Sequence, residues 1–504
     1  MNNGRIKILS DLIPTGIVEQ DAKIIPIIIN NTMSDHRKNV DDMDILENYY
    51  FNKTDIAKKE KRQQEYINNK IATPFANIAV TTINAYCFAN PLTLSSRNSD
   101  KQNELKQFCD LLDDDNYSEK TIIATMNSGK GGLGYKYVRP ANASERAYGM
   151  FFKTVGDIDP KKTYCVYSNS LDKEKIMAIN YFEKTEYDLN GDITKTYNQY
   201  NVWTTTHYWV FTDKDGDLKP QHFIVGNEDS LAYPLPYKRI PIIEYPRKQD
   251  RTSDFEIAKD LIDAYNNLLS NRIDAVQQAV DYLLLLRDID TESKESLSKI
   301  KECIRQGILS FKSIEGATVQ PEVKVLNMSL NQSEVQKLQD EITSKIEEAL
   351  NIPNRETRSS GGDTGSAVES RNGFRSLENI AGLVTASAKA AENEALDVIL
   401  SICKSYEDCP FKNLTINDIE IKENRNKIEN LTNAANAYAT LKSAGMNDTD
   451  AMVITRIVND AISTAKKNVV YAEENARKAK LSTNDSRTVN NENENIVDQN
   501  GTSE

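Results

Sequence analysis

Apolar residues along this chain change their period several times, and each change predicts a different element. Over residues 42–90, Ile56, Tyr66, Ile67, Ile71, Phe75, Ile78, Ala79, Thr82, Ile83 and Tyr86 recur at intervals of three and four, the spacing of a helix. Pro74 should start a turn or kink the chain there. The first 40 residues show no clear period, and the isoleucine-rich run 24–29 reads as a short strand or an arm. A second helical stretch is expected over 101–126. From 135 to 245 near-alternation takes over, in Tyr135-Lys-Tyr-Val138, in Thr163-Tyr-Cys-Val-Tyr167 and through 200–211. Asn190-Gly191 and Asp215-Gly216 are hairpin turn signals, so this region predicts an antiparallel meander, with Pro234, Pro236, Pro241 and Pro246 marking its exit.

Residues 254–286 return to helix, with Ile257, Leu261, Tyr265, Leu268, Ile273, Val276, Val280 and Leu283 on the apolar positions and no glycine or proline. Ser253 or Asp254 can cap it. These 33 residues would form a rod of about 50 Å. A short helix over 292–304 and strands at Gly307-Ile-Leu-Ser-Phe-Lys312 and Val323-Lys-Val-Leu-Asn-Met328 predict a small α/β insert before another helix, 332–350. The run 351–366 is rich in glycine and serine and predicts a mobile loop. A long helix is expected from about 367 to 405, with Gly373 and Gly382 as kink sites. Residues 427–480 are helical again, with Gly445 ending one helix and Asn447 or Asp448 capping the next. The last 24 residues hold six asparagines and four large aliphatics, which predicts disorder.

Composition narrows the classes. The 504 residues suggest three to four domains or subdomains at about 150 each. A net charge of −13 disfavours a surface that grips nucleic acid over its whole extent. No apolar run is long enough to span a bilayer, and the first 20 residues, with Asp11 and Glu19, lack a signal-peptide cleavage pattern. The six cysteines (Cys87, Cys109, Cys165, Cys303, Cys403 and Cys409) show no CxxC spacing, which favours reduced thiols.

Motifs for chemistry are weak. Gly129-Lys-Gly-Gly-Leu-Gly134 lacks the hydroxyl after the lysine that a phosphate loop needs, and it follows a helix and opens a strand, so a helix-to-strand turn is expected. Asp213-Lys-Asp-Gly-Asp217 has the wrong spacing for an EF-hand and reads as a hairpin turn. Asp113-Asp-Asp115 reads as a solvated helix end. His207 and His222 lie across the Asp215-Gly216 turn and read as strand neighbours on a tyrosine-rich sheet. No catalytic site, metal site or cofactor is expected.

Three stretches carry a resemblance. One is Tyr49-Tyr-Phe-Asn-Lys53, Asn68-Asn-Lys-Ile71, Pro74-Phe-Ala-Asn-Ile-Ala-Val80 and Phe88-Ala-Asn-Pro-Leu92. The second is Asp254-Phe-Glu256, Leu261-Ile-Asp-Ala-Tyr-Asn-Asn267 and Ser270-Asn-Arg-Ile-Asp274. The third is Asn351-Ile-Pro-Asn354 with Gly365-Ser-Ala-Val368, where the family often has Ser-Gly instead of Gly365-Ser366. In their order and spacing, over about residues 45–405, the chain resembles the SPP1-type portal proteins of tailed bacteriophages.

The resemblance implies an α+β portal architecture: an N-terminal arm (1–40), a wing (41–252), a stem helix (253–286), a clip (287–328), a second stem helix (329–350), a tunnel loop (351–366), a kinked wing helix (367–410), a helical crown (411–480) and a disordered tail (481–504). It implies a non-enzymatic ring, usually of twelve copies, at one vertex of the virion capsid, assembled in the host cytoplasm. Implied partners are the terminase large subunit, the head–tail adaptor, the major capsid and scaffolding proteins, and double-stranded DNA passing without sequence specificity; no membrane is involved. The tunnel loop would bring Asn354, Arg355, Glu356, Thr357, Arg358, Ser359, Ser360, Gly361, Gly362 and Asp363 to the DNA. Asp288, Asp290, Glu292, Lys294, Lys301 and Lys312 of the clip would meet terminase or adaptor. Residues 254–286 and 332–350 carry net charges of −4 and −3, so a ring of stems would present an acidic wall over which DNA slides. Asp260, Asp263, Asp274, Asp281, Glu341 and Glu348 are its lining candidates. A non-channel structural or adaptor protein of a head–tail connector is the alternative reading, and a thiol or metal enzyme is the third.

Overall fold

The computed structural model describes residues 4–61, 67–188, 190–214, 216–226, 228–280, 283–287, 294–295, 298, 302, 322–326, 332–353, 374–422, 425 and 438–445. A two-residue strand, β1 (Leu9–Ser10), precedes a 33-residue helix, α1 (Val18–Tyr50). A 3-10 turn (Asp55–Lys58) and a segment without helix or strand lead to α2 (Phe75–Phe88), which starts at Pro74 as expected. Strand β2 (Thr93–Ser96), helices α3 (Gln102–Asp114) and α4 (Tyr117–Gly131), strand β3 (Leu133–Pro140), the one-turn helix α5 (Ala143–Ala147) and strand β4 (Phe152–Val155) follow. Next come β5 (Thr163–Ser168), β6 (Lys175–Tyr187), β7 (Ile193–Thr204), β8 (His207–Thr212), β9 (Lys219–Pro220), β10 (Phe223–Val225), β11 (Glu228–Ser230), β12 (Tyr233–Pro234) and β13 (Ile242–Pro246). Helix α6 (Lys259–Val280), strands β14 (Leu283–Arg287) and β15 (Glu322–Leu326), helices α7 (Gln332–Leu350) and α8 (Phe374–Lys404), and strand β16 (Ile419–Lys422) complete this unit, which spans Met1–Asn426. In the second unit, Lys427–Glu504, the described residues end a helix at Gly445, whose φ is 88°.

The expected meander is real in β5–β8, which run antiparallel in a seven-stranded sheet ordered β1-β5-β6-β7-β8-β12, with β9 on β8. The outer ends of the region do not join it. Strand β13 pairs antiparallel with β3, and β3 with β4, in a separate three-stranded sheet. Alternation alone predicts strands, but which strands pair depends on the faces that helices cover. Here α1 covers the larger sheet, with Ile25, Ile28 and Ile29 against Tyr164, Val166, Ile179, Val202, Trp209 and Phe211. Helix α8 packs on β3 and β13 in the larger apolar core.

Helix α1 corrects the expected strand or arm at 24–29. Its buried stripe is Asp21, Ile25, Ile28, Ile29, Thr32, His36, Asn39, Met43, Leu46, Tyr49 and Tyr50, spaced at three and four with polar members. Those polar residues hide the period from an apolar scan, yet each is satisfied. Asp21 accepts from the Thr15 and Gly16 N–H groups at 2.7 and 2.9 Å, and the Asn39 amide pairs with Ile6 N–H and C=O at 2.7 and 2.9 Å. His36 Nε2 lies 3.0 Å from the Lys161 carbonyl and its ring stacks on Tyr164.

Other expectations shift in detail. The predicted 101–126 helix breaks at Asn116, whose φ is 54°, and resumes to Gly131. Asp115 there is not a solvated end. It is buried, pairs with Lys120 and Lys153 at 2.7 and 3.0 Å, and accepts from Thr154. The glycine-rich run is a tight helix-to-strand turn: Gly132 has φ 88°, and a Cβ on Gly134 would lie 2.0 Å from the Ala124 carbonyl oxygen. The rod predicted over 254–286 ends at Val280, because Leu283–Arg287 pairs antiparallel with Glu322–Leu326. Four successive leucines would circle a helix but suit a strand. The expected strand at 323–328 is thus present as β15, whereas 307–312 and most of 292–304 lie outside the described residues. Helix α8 runs without interruption past Gly382, and Gly373 lies outside the described residues. Residues 411–422, expected in the helical crown, instead end in β16 paired with β2.

A buried ion pair ties α8 to the rest. Lys136 of β3 and Glu392 of α8, both fully buried, meet at 2.9 Å. Thr121 and Tyr245 donate to Glu392 at 3.0 and 2.8 Å, Tyr117 donates to its other oxygen, and Lys136 also donates to Thr121 at 2.7 Å. Burial raises the Glu392 pKa, but the Lys136 charge and the hydroxyl donors outweigh it and hold the carboxyl below its ordinary value. Removing one partner leaves a buried charge alone, so Lys136→Met or Glu392→Leu should each cost about 3–5 kcal/mol in urea unfolding, with the double variant recovering part of the loss. Burial also depresses the His36 imidazole to about 4. The folded state therefore resists protonation: this contribution is complete above pH ~6.5 and fades as pH falls toward 4. Thermal melts of the parent and His36→Phe should diverge less at pH 4.5 than at pH 7.5.

Candidate functional site

Helices α6 and α7 hold the described residues that sequence analysis placed in a stem. The entry to α6 is capped reciprocally. Ser253 Oγ accepts from the Glu256 N–H at 3.1 Å, and the Glu256 carboxylate accepts from the Ser253 N–H at 3.2 Å. The root lies in an apolar cluster of Phe255, Ala258 and Ile262 with Ile346 and Leu350 of α7, Leu46, Tyr49 and Tyr50 of α1, and Ala76, Ala79 and Val80 of α2. At ~1.5–3 kcal/mol for each large apolar side chain buried, this cluster outweighs any surface ion pair on the stem.

Each flank of α6 has its own partner. On one side Arg272 donates to Gln336 and Gln339 of α7 at 2.7 and 2.6 Å, and Gln339 donates to the Tyr265 hydroxyl at 3.0 Å. On the other side lies a strap, residues 67–73. The Thr73, Ile71 and Asn69 N–H groups donate to Asn266, Ser270 and Asp274 at 3.0, 3.0 and 2.8 Å. Four helical residues rise about 6 Å and two residues of extended chain about 6.6 Å, so side chains four apart meet every second N–H of the strap. The helix flank thus stands in for a neighbouring strand.

The acids of the expected lining divide accordingly. Asp274 is 2% exposed and is not available to line anything. It pairs with Lys59 at 2.8 Å and Lys61 at 3.7 Å and accepts from Asn69. Burial alone would raise its pKa, but the Lys59 and Asn69 donors hold it at about 2. Asp263 is half-buried and accepts from the Tyr49 hydroxyl at 2.5 Å; burial raises its pKa. Asp260, Glu341 and Glu348 are exposed, Glu348 beside Lys345 at 2.9 Å. Asp281 lies outside the described residues.

Two further acids of the segment are also neutralised in place. Arg247 grips Asp254 through two bonds of 2.9 and 2.7 Å, and Arg5 meets Glu256 at 2.6 Å. The net charge counted along the sequence therefore overstates the acidity of the α6 surface. Of the clip residues, Lys294 is helical and exposed, while Asp288, Asp290, Glu292, Lys301 and Lys312 lie outside the described residues, as do all ten tunnel-loop residues from Asn354 to Asp363. At the threshold of that loop, Asn351 has φ 55° and accepts from Ser376 of α8.

Sequence reasoning missed Asn266 and Ser270. Their signal was a polar stripe at 266, 270 and 274 on a helix otherwise read for its apolar positions. Of the two histidines read as strand neighbours, His207 pairs in register with Pro234, while His222 follows β9, which pairs with β8, and meets Asp229 across the β10–β11 hairpin at 2.8 Å. Among the described residues no group of three His, Cys, Asp or Glu could hold a metal, and no helix is long and apolar enough to cross a membrane. A cavity of about 310 Å³ opens beside Phe88, Leu92, Leu112, Leu396 and Ile421. Its buried carboxylate is Glu392, already engaged by Lys136 and three hydroxyls.

Helices α6 and α7 are thus rooted in a mixed α+β body, and three acids at the start and on one flank of α6 are paired with bases from elsewhere in the chain. The chain belongs to the family of phage portal proteins described as SPP1 Gp6-like, whose model matches residues 30–497. It is 22% identical over 364 residues to the portal protein of Bacillus phage SPP1, a match that covers 69% of this chain and 65% of that protein. The chain thus spans a little under two thirds of that relative's length.

Asp274→Ala removes the acceptor for two strap groups and for Lys59. Trypsin should then cut at Lys59, Lys61 or Lys70 about tenfold faster than in the parent, with the melting of the β-sheet region little changed. Equal cleavage rates would deny the strap its dependence on α6.

Proposed function

We propose that the chain forms a ring at one capsid vertex, twelve copies by family precedent, and serves as the conduit for genome packaging and ejection. Membership of the portal family over 30–497 is the observation that carries this reading. The helix pair α6–α7 would be the stem, with the β14–β15 pair at the base of the clip, and the body from α1 to β13 with α8 would be the wing. The tunnel loop would occupy 351–366 and the crown 427–480.

In this reading the ring docks the terminase large subunit and later the head–tail adaptor through clip residues such as Lys294. Major capsid and scaffolding proteins would surround the wing. The ring is a scaffold rather than an enzyme, acting in the virion after assembly in the host cytoplasm. DNA would pass by sliding, with Asn354 to Asp363 touching phosphates weakly: Arg355 and Arg358 are offset by Glu356 and Asp363. Of the expected lining acids, Asp260, Glu341 and Glu348 keep exposed carboxylates, so among the described candidates they are the ones free to face a channel or a neighbour.

Negative-stain images of the purified chain should show rings with a central hole. Deleting residues 357–362 should leave those rings intact while reducing packaged DNA severalfold. Closed particles without a hole would remove the conduit, and normal packaging by the deletion variant would remove the loop's role.

A further inference from the structure

The two flanks of the stem carry opposite charge. On a helical wheel of α6, Tyr265 and Arg272, which meet α7, lie about 150° from Asn266, Ser270 and Asp274, which hold the strap. Helix α7 and the strap therefore flank α6 on nearly opposite sides. Helix α7 carries five acids and two bases, net −3. Its Glu334, Glu341 and Glu348 recur every seven residues, two turns or about 10 Å apart, and all three are exposed. Leu338, 47% exposed, lies between the first two. On the other flank, the described residues 53–61 and 67–73 hold five lysines against Asp55 and Glu60, net +2 once Asp274 is counted with them; Lys59 and Lys61 pair with Asp274 and Lys58 with Asp55, and Lys53, Lys58 and Lys70 are exposed.

A closed ring is built head to tail, so two different faces of one chain must fit each other. A pairing of α7 with α7 would set acid against acid. Building on the ring proposed above, we infer that the α7 face of one copy docks on the strap flank of the next, with Glu334, Glu341 and Glu348 against Lys53, Lys58 and Lys70. The occupant is a second copy because the flanks are opposite in sign, and because Leu338 gives the acidic face an apolar spot to bury. This assigns Glu341 and Glu348 to the seam between copies and leaves Asp260 on the remaining exposed face of α6. It also gives the strap a purpose beyond its own chain, since its lysines reach the seam only while α6 holds it.

The test is charge reversal and rescue in the full chain. Lys53→Glu, Lys58→Glu and Lys70→Glu together, or Glu334→Lys, Glu341→Lys and Glu348→Lys together, should each lower the ring fraction at 0.15 M salt about tenfold or more, measured by mass photometry. Combining both sets should restore it to within about twofold, a recovery that misfolding of either variant would not give. As a second readout, Lys70→Cys with Glu341→Cys in an otherwise cysteine-free chain should oxidise to a ladder of multimers. Rings that persist through both reversals, or that the combined variant fails to restore and that yield no ladder, overturn this seam while leaving the ring reading intact. Absence of rings in the parent overturns both.

Discussion

Three N–H groups of the strap and three polar side chains on one flank of α6 need one another. Unpaired, each buried member would cost on the order of 1–3 kcal/mol. Together they form a ladder in which Asn266, Ser270 and Asp274 replace the edge of a strand. Nearly everything else about the stem follows from it. The ladder fixes which flank of α6 faces the body, so that α7 takes another flank and the remaining face is left to solvent. It also buries Asp274 and recruits Lys59 and Lys61.

Parts of each of the three stretches that suggested the family converge on this place. Tyr49 reaches Asp263, Asn69 and Ile71 bond to Asp274 and Ser270, Phe75 packs edge-on against Tyr265 at 5.2 Å, and Ile352 joins the cluster under Phe255 and Ile262. Stretches that are far apart in sequence are thus one structural unit, the root of the helix pair. That is a physical reason for their order and spacing to be recognisable together although no single motif is decisive.

What the sequence made legible divides along similar lines. Elements dominated by one apolar period were plain: α7, α8, most of α6 and the β5–β8 meander. Helix α1 was not, because Asp21, Thr32, His36 and Asn39 lie on its buried face, with Asp21 and Thr32 satisfied by nearby backbone and Asn39 and His36 by groups distant in sequence. The separation of β3, β4 and β13 from the larger sheet was hidden for the same reason, since pairing is decided by what packs above and below. Charge was the least legible quantity. A count along 254–286 gives an acidic rod, but Arg5, Lys59, Lys61 and Arg247 arrive from elsewhere to neutralise Glu256, Asp274 and Asp254.

The ladder has a further consequence for biosynthesis. Its two sides are about 200 residues apart in the chain, 193 for the Thr73 rung and 205 for the Asn69 rung. At roughly 5–20 residues per second, the ribosome releases the first side some ten to forty seconds before the second. Throughout that interval the nascent N-terminal helices have no seat for their connecting segment, and folding of the stem root must wait for translation to catch up.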